Sequence, residues 1–380
     1  MEPIIIVGSG MAGYGLAREF RKRNTEQPVT VLTADDGAVY SKPMLSTALA
    51  QGQSPDQLQQ HTADALAAQL GVQIHTLTRV ERIDTAAHRV QVNGDSLPYR
   101  QLVLALGADP VDPGLAGDAA GAVMSVNDLQ DYRLFRSRLQ GKHRVVILGG
   151  GLIGCEFAND LILSGHEVDL VHPREWPLER LLPSAVAQAL VEQMRGRGVR
   201  WHFSRKAKAV WQAAEGVEVE LDNGDMLSAD LVLSAIGLRP RTSLAKASGL
   251  VVNRGIVADR RLQTSAPDVF AIGDCAEVEG LVLPFVQPLL NQSRTLAALL
   301  AGDDTRLSYP AMPVTIKTSV FPLVVGGVAP EPGQTWQIDE VEGGLRACFH
   351  AADGSLQGFA LAGAATRERT ALAKALAPLL

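Results

Sequence analysis

Short aliphatic runs that break abruptly into glycine organise this chain. Residues 3–13, PIIIVGSGMAG, and residues 144–154, RVVILGGGLIG, share one plan: an apolar run followed by Gly-x-Gly-x-x-Gly. A run without polar alternation suits a strand buried on both faces, so each copy predicts a parallel strand leading into a helix. The motif glycines are Gly8, Gly10 and Gly13, with Ser9, Met11 and Ala12 between them, and then Gly149, Gly151 and Gly154, with Leu152 and Ile153 opening the second helix. Such glycines allow a tight turn, close backbone approach to a pyrophosphate, and close packing of the helix on the sheet. The helix then aims its first amides and the positive end of its dipole at phosphate. One such turn has many uses; two in one chain point to two dinucleotide sites.

The same patterning divides the remaining residues. Leu16, Ala17 and Phe20 give the first helix its apolar face, and Val29–Leu32 is the next buried strand. An acid near the end of that second strand receives an adenosine ribose in such units, which makes Thr33, Ala34 and Asp35 candidates; Asp35 equally reads as a solvated loop acid. Residues 58–70 predict an amphipathic helix and 73–77 a strand. Residues 80–84 and 88–92 alternate up to an Asn93-Gly94 turn, so an antiparallel meander interrupts the parallel sheet. LVLALG at 102–107 is another buried strand, ending at Gly107, and the Pro- and Gly-rich stretch 109–117 is a crossover.

About 140 residues after the first motif, the second opens a repeat of this plan. A helix is predicted over 153–164, a strand over 167–171, alternation over 205–227 with an Asn223-Gly224 turn, and DLVLSAIG, ending at Gly237, parallels LVLALG. Further on, TSAPDVFAIGDCAE predicts a strand over 269–272 that ends at Gly273 and Asp274, an acid at the carboxyl edge of a strand, where open α/β sheets bind ligands. A helix from Val286 to Leu300 follows, and the tail mixes strands with a closing helix. The expected fold class is α/β: two Rossmann-like dinucleotide-binding domains plus a small α+β C-terminal domain. The expected boundaries are 1–110 with 245–311 for a discontinuous first domain, 111–244 for a second domain inserted into it, and 312–380 for the third.

Composition narrows the picture further. At 380 residues the chain exceeds what one core usually supports. A formal net charge of -6 argues against a nucleic-acid binder that relies on bulk positive charge. No apolar run reaches bilayer length, and Met1 leads straight into a strand instead of a basic segment with an apolar signal core, so membrane insertion is not expected and a cytoplasmic location is. Cys155, Cys275 and Cys348 are far apart in sequence, and none sits in a Cys-x-x-Cys pair, so no metal site and no local redox dithiol is expected. In YSKPMLS, Pro43 pushes Lys42 toward an extended backbone, a rigid way to present one charge, although a surface lysine would read the same.

GSGMAG, YSKPMLS, LVLALGA, GGGLIGCE, LSAIGLRP and TSAPDVFAIGDCAE, in this order, resemble the pyridine nucleotide-disulfide oxidoreductase superfamily over essentially the whole chain. Within it, the SKPMLS loop, VTIKTSVFPL at 314–323 and the short C-terminal portion are most similar to the branch that passes electrons from NADH through FAD to rubredoxin, a one-electron iron carrier. The resemblance implies that the first motif holds the FAD pyrophosphate, Thr33 to Asp35 its adenosine end, Val80 the adenine through its backbone, and Asp274 the ribityl and pyrophosphate region. It puts Lys42 and Glu156 beside the isoalloxazine as an ion pair, with Val286 and Lys317 approaching from the far side. A cation there would stabilise the reduced ring. The second motif, with Gly237, would hold NADH.

Two departures matter. The stretch STALAQG lacks the cysteine that disulfide-using and peroxidase-type relatives carry near this point, so electrons are expected to leave the flavin without a thiol relay, and no side chain is expected to act as nucleophile or general base. The strand EVDLVHPRE ends at His172 where many NADH-binding relatives place an acid; Asp169 lies within the strand, Glu175 comes later, and Arg174 could meet a 2′-phosphate. The resemblance favours NADH, while the residues alone leave NADPH open. The implied activity is FAD-dependent NADH:rubredoxin oxidoreduction serving alkane hydroxylation or oxygen and oxidative-stress defence. An NAD(P)H oxidase-like enzyme, a ferredoxin or flavorubredoxin reductase, and an interaction module are the alternatives. Arg367, Arg369 and Lys374 are candidates for docking an acidic carrier, and a monomer is expected.

Overall fold

The computed structural model describes residues 1–328, 330 and 335–380. Ile4–Val7, buried at every position, is the middle strand of a five-stranded parallel sheet ordered Val269–Ala271, Gln101–Leu104, Ile4–Val7, Val29–Leu32, Gln73–His75. Its three inner strands are almost wholly apolar and buried, while the edge strand Gln73–His75 exposes both of its polar ends; each fully buried aliphatic side chain contributes about 1.5–3 kcal/mol relative to exposure. The helix Met11–Arg21 turns Leu16, Ala17 and Phe20 to the core and packs on Val286–Leu300. Small residues let these two helices approach closely: a Cβ on Gly15 would lie 3.3 Å from Ser293 Oγ, which donates to Leu289 O at 2.9 Å.

The outer strand Val269–Ala271 reaches this sheet from beyond a second parallel sheet in the chain, ordered Val199–Phe203, Glu167–His172, Arg144–Leu148, Leu231–Ser234. The passages between the sheets are the antiparallel strands Ala108–Pro110 and Leu238–Pro240, so the crossover read at 109–117 begins as paired backbone. Arg241 Nε binds Asp109 Oδ1 at 2.6 Å beside them. Each sheet carries an antiparallel meander: Val80–Asp84, Arg89–Val92 and Asp95–Pro98 on the first, Ala207–Gln212, Val217–Leu221 and Met226–Ala229 on the second. The C-terminal portion is a five-stranded antiparallel sheet, Val314–Ile316, Leu323–Gly327, Leu356–Gly363, Gly344–His350, Gln337–Val341, followed by the helix Arg369–Ala375. No helix among the described residues is long and apolar enough to cross a membrane.

One expected element divides. Residues 58–70 are not a single helix: Pro55–Leu58 ends in the strand Gln59–His61, which pairs with Val39–Tyr40, and a new helix starts at Ala63. Thr62 restarts it by accepting the Ala65 amide at 3.2 Å. Sequence periodicity could not see the partner strand that pulls three residues out of helical geometry.

The two glycine turns are built alike. Gly8 and Gly149 have φ +118° and +104°, and a Cβ there would come within 2.2 Å of Ala105 O and 2.6 Å of Ala235 O. A Cβ on Gly13 or Gly154 would lie 1.9 or 1.8 Å from the carbonyl oxygen of Gly8 or Gly149. These contacts are with backbone, which cannot rotate away. Gly154→Ala should therefore destabilise the protein by about 1–3 kcal/mol. Urea unfolding compared with Gly52→Ala, at a position with nothing within 4 Å but φ +66°, checks whether the close contact costs more than backbone strain alone.

Candidate functional site

The carboxyl ends of the first sheet face a cavity of about 740 Å³. Of the residues singled out from sequence, Gly10, Met11, Ala12, Lys42, Pro43, Gly107, Leu152, Ile153, Glu156, Gly273, Asp274, Val286 and Lys317 line it. Ser9 opens onto an adjoining groove of about 570 Å³ along the helix Met11–Arg21, which also reaches Gly10, Met11 and Lys42. Thr33, Ala34, Asp35, Val80, Gly149, Gly151, Gly154 and Gly237 do not line the cavity. Thr33 and Asp35 join the site through Ser9, whereas Val80 is buried at the start of its meander.

The start of the first helix is bare. Gly10 is its N-cap with no side-chain cap bond, and nothing stands within 4 Å of where its Cβ would be. Gly151 is the same on the second helix. Unsatisfied helix amides facing open space are an anion site. At the end of Val29–Leu32, Asp35 Oδ1 accepts from Ser9 Oγ at 2.9 Å, Thr33 Oγ1 at 2.5 Å and Gly37 N at 2.9 Å. All of these fall on one oxygen, so among the described residues Oδ2 keeps its accepting capacity. At the other end of the cavity, Gln292 Oε1 receives the Gly273 amide at 2.6 Å and fixes the turn that carries Asp274. Burial pushes the Asp274 carboxyl above the usual range, and Lys42 opposes that shift.

The expected Lys42–Glu156 ion pair is not formed. Lys42 Nζ donates to Asn127 Oδ1 at 2.7 Å, and Asn127 is itself held by Ala108 O at 2.9 Å. Burial lowers the Lys42 pKa, with Asp274 pulling the other way. Glu156, with no exposed surface, pairs with Lys317 instead: Nζ at 2.5 Å from Oε2 and the Lys317 backbone N at 3.0 Å from Oε1. Ser46 Oγ donates to the same Oε2 at 2.6 Å. The reason lies in reach: Val314–Ile316 delivers both an amide and an ammonium to Glu156, satisfying both carboxylate oxygens, and a buried carboxylate demands that. Asp160, one turn along the helix Leu152–Leu163, accepts the Leu49 and Ala50 amides at 3.1 and 2.8 Å and locks the Lys42–Ser46 turn against it.

Around the second glycine turn, His172 Nδ1 accepts the Gly150 amide at 3.0 Å, and its Nε2 lies 2.9 Å from Glu179 Oε2. Glu175 is exposed, and Arg174, 66% exposed, approaches Glu179 Oε1 at 3.7 Å. Ser46, Asn127 and Glu179 were not legible as site residues. Ser46 sits within the quoted SKPMLS, but nothing local in sequence signals a partner 110 positions away. All three cysteines are free and buried; burial raises each thiol pKa, that of Cys275 to about 11. Arg367, Arg369 and Lys374 are exposed on the final helical segment.

Residues 2–295 match the family model described as pyridine nucleotide-disulphide oxidoreductase, and residues 306–376 match the rubredoxin binding C-terminal domain. The chain is 49% identical over 381 residues to a rubredoxin-NAD(+) reductase of Alcanivorax borkumensis, covering 100% of both. It is 43% identical over 389 residues to the protein of the same name from Acinetobacter baylyi, covering 100% of this chain and 99% of that one. Among solved structures, a ferredoxin reductase from Rhodopseudomonas palustris superposes with TM-score 0.89 at 26% identity, covering 99% of this chain and 96% of that one.

Two outcomes check the site. Gly10→Val has room to fold, because Gly10 has φ -68° and an open Cβ position, yet it fills the approach to the helix amides. Purified Gly10→Val should lose most of its bound flavin, read from visible absorbance, while keeping its circular dichroism. The native thiols should resist a disulfide reagent until denaturant is added; a thiol reacting within seconds would put a nucleophilic sulfur back into the chemistry.

Proposed function

The chain belongs to the pyridine nucleotide-disulphide oxidoreductase family, and on that premise we propose that it carries electrons from NADH through FAD to rubredoxin. One observation carries this reading: a single cavity is walled by Gly10–Ala12 of the first glycine turn, by Leu152, Ile153 and Glu156 after the second, and by Val314, Lys317 and Val325 of the C-terminal sheet. Donor, flavin and acceptor portions of the chain meet at one place.

The residues present fit FAD. The bare Gly10 turn accepts a pyrophosphate, Asp35 Oδ2 accepts ribose hydroxyls, and Asp274 stands at the strand edge for the ribityl chain. Bound there, FAD supplies acceptance of a hydride from NADH and release of electrons one at a time. The chain's own groups orient and tune. Lys42 and Lys317 hold positive charge on the cavity wall, where it favours an electron-rich ring, and Glu156 with Ser46 sets where the Lys317 ammonium stands. Leu283, Phe285 and Phe359 exclude water from the same wall. No cysteine joins the cavity lining among the described residues, which fits direct electron release without a thiol relay.

We assign residues 1–110 and 245–311 to FAD, 111–244 to NADH, and 312–380 to the C-terminal domain; the support is that Val269–Ala271 completes the first sheet from the far side of the second. Arg367, Arg369 and Lys374 form the docking charge for an acidic carrier, and the setting is cytoplasmic, where NADH is available.

Anaerobic stopped-flow mixing of NADH-reduced protein with oxidised rubredoxin should show saturable, salt-sensitive flavin reoxidation far faster than an air control. Reoxidation no faster than in air would favour an oxidase. Reversing Arg367, Arg369 and Lys374 to glutamate should weaken rubredoxin saturation at least tenfold while flavin reduction by NADH keeps its rate, a loss of about 1.4 kcal/mol. Light scattering should return the monomer mass of 40.4 kDa.

A further inference from the structure

Selection between NADH and its 2′-phosphorylated form requires a group at the adenosine ribose. In a dinucleotide-binding unit that group is an acid about twenty residues past the glycine turn, at the end of the second strand. Here that strand, Glu167–His172, ends in an imidazole. The strand's own interior acid is committed elsewhere: Asp169 binds Arg200 through Nε at 3.0 Å and Nη2 at 2.7 Å, and His202 Nε2 at 2.8 Å.

The His172 ring is fixed by what it touches. Its Nδ1 accepts the Gly150 amide at 3.0 Å, so the proton resides on Nε2, which donates to Glu179 Oε2 at 2.9 Å. Both ring nitrogens are used, and neither is left to receive a hydroxyl. Glu179 is brought there by a short return of the chain: Leu178 N donates to Gly150 O at 3.0 Å, and Leu178 holds φ +57°, a left-handed conformation that disfavours a branched side chain. The carboxylate is therefore pinned beside the second glycine turn, one imidazole out from the strand end. Among the described residues its Oε1 faces only Arg174 Nε, at 3.7 Å and beyond hydrogen-bond range, and the side chain keeps 27% exposure.

We propose that Glu179, positioned by His172, receives the adenosine ribose hydroxyls of the nicotinamide donor and selects NADH over NADPH. The inference rests on the reading that the second glycine unit holds the donor. A ribose diol donates to the free carboxylate oxygen; a 2′-phosphate in that position meets like charge. Arg174, tethered to the same carboxylate, offsets part of that charge without removing it. The acid role passes from the strand-end residue to the loop seven positions later, and the histidine becomes its holder.

Calorimetric titration of the FAD-loaded protein with NAD+ and with NADP+ tests this without turnover. Glu179→Gln preserves shape and removes the charge. Its dissociation constant for NAD+ should rise roughly tenfold, with NADP+ unchanged or tighter, so the preference ratio falls by at least that factor. His172→Ala should move the ratio the same way and add little to Glu179→Gln in the double variant, as expected for groups that act as one unit. An unchanged ratio in Glu179→Gln, or an equal weakening of both nucleotides, would overturn the assignment. Failure of NADH to reduce the flavin of the unaltered protein would instead overturn the proposed activity on which it rests.

Discussion

A carboxylate with no exposed surface cannot stay charged unless protein groups replace its water, and for Glu156 those groups come from two distant parts of the chain, so that three parts meet. The helix after the second glycine turn contributes the acid, the loop after the first sheet's second strand contributes Ser46, and the C-terminal sheet contributes Lys317. Removing any one leaves a buried polar group short of partners. The requirement thus acts as a clasp: each portion of the molecule is held to the others at the cavity where their chemistry meets. Asp160 extends the clasp by one turn, holding the Leu49 and Ala50 amides.

The two glycine turns reuse one backbone solution. Their strained first glycines and their close third glycines are nearly superposable in kind, because both are dictated by the same strand-to-helix geometry. What differs is the trim beyond the second strand of each unit. In the first, Ser9, Thr33 and Asp35 share a tight hydrogen-bond cluster; in the second, an imidazole and a loop glutamate occupy the corresponding place. The fold repeats while the recognition does not.

Sequence reading succeeded where local sterics decide the outcome. Aliphatic runs, glycine turns and the Asn93-Gly94 turn, where both residues have positive φ, follow from constraints acting over a few neighbours. It failed where the deciding partner is remote. Nothing in YSKPMLS says that Lys42 will meet Asn127 while Glu156 meets Lys317, since both choices satisfy charge and only the path of Val314–Ile316 separates them. The apparent helix over 58–70 broke for the same reason: its middle is claimed by Val39–Tyr40.

The placement of Val269–Ala271 at the rim of the first sheet bears on how the protein is born. During translation the inserted second sheet has all its strands by residue 234, while the first still lacks an edge and the turn at Gly273 and Asp274. The nascent chain must carry an unfinished nucleotide fold, with an open sheet edge, through the synthesis of an entire neighbour. A site that needs that last edge and the Gly273–Asp274 turn is complete only once the chain has passed residue 274.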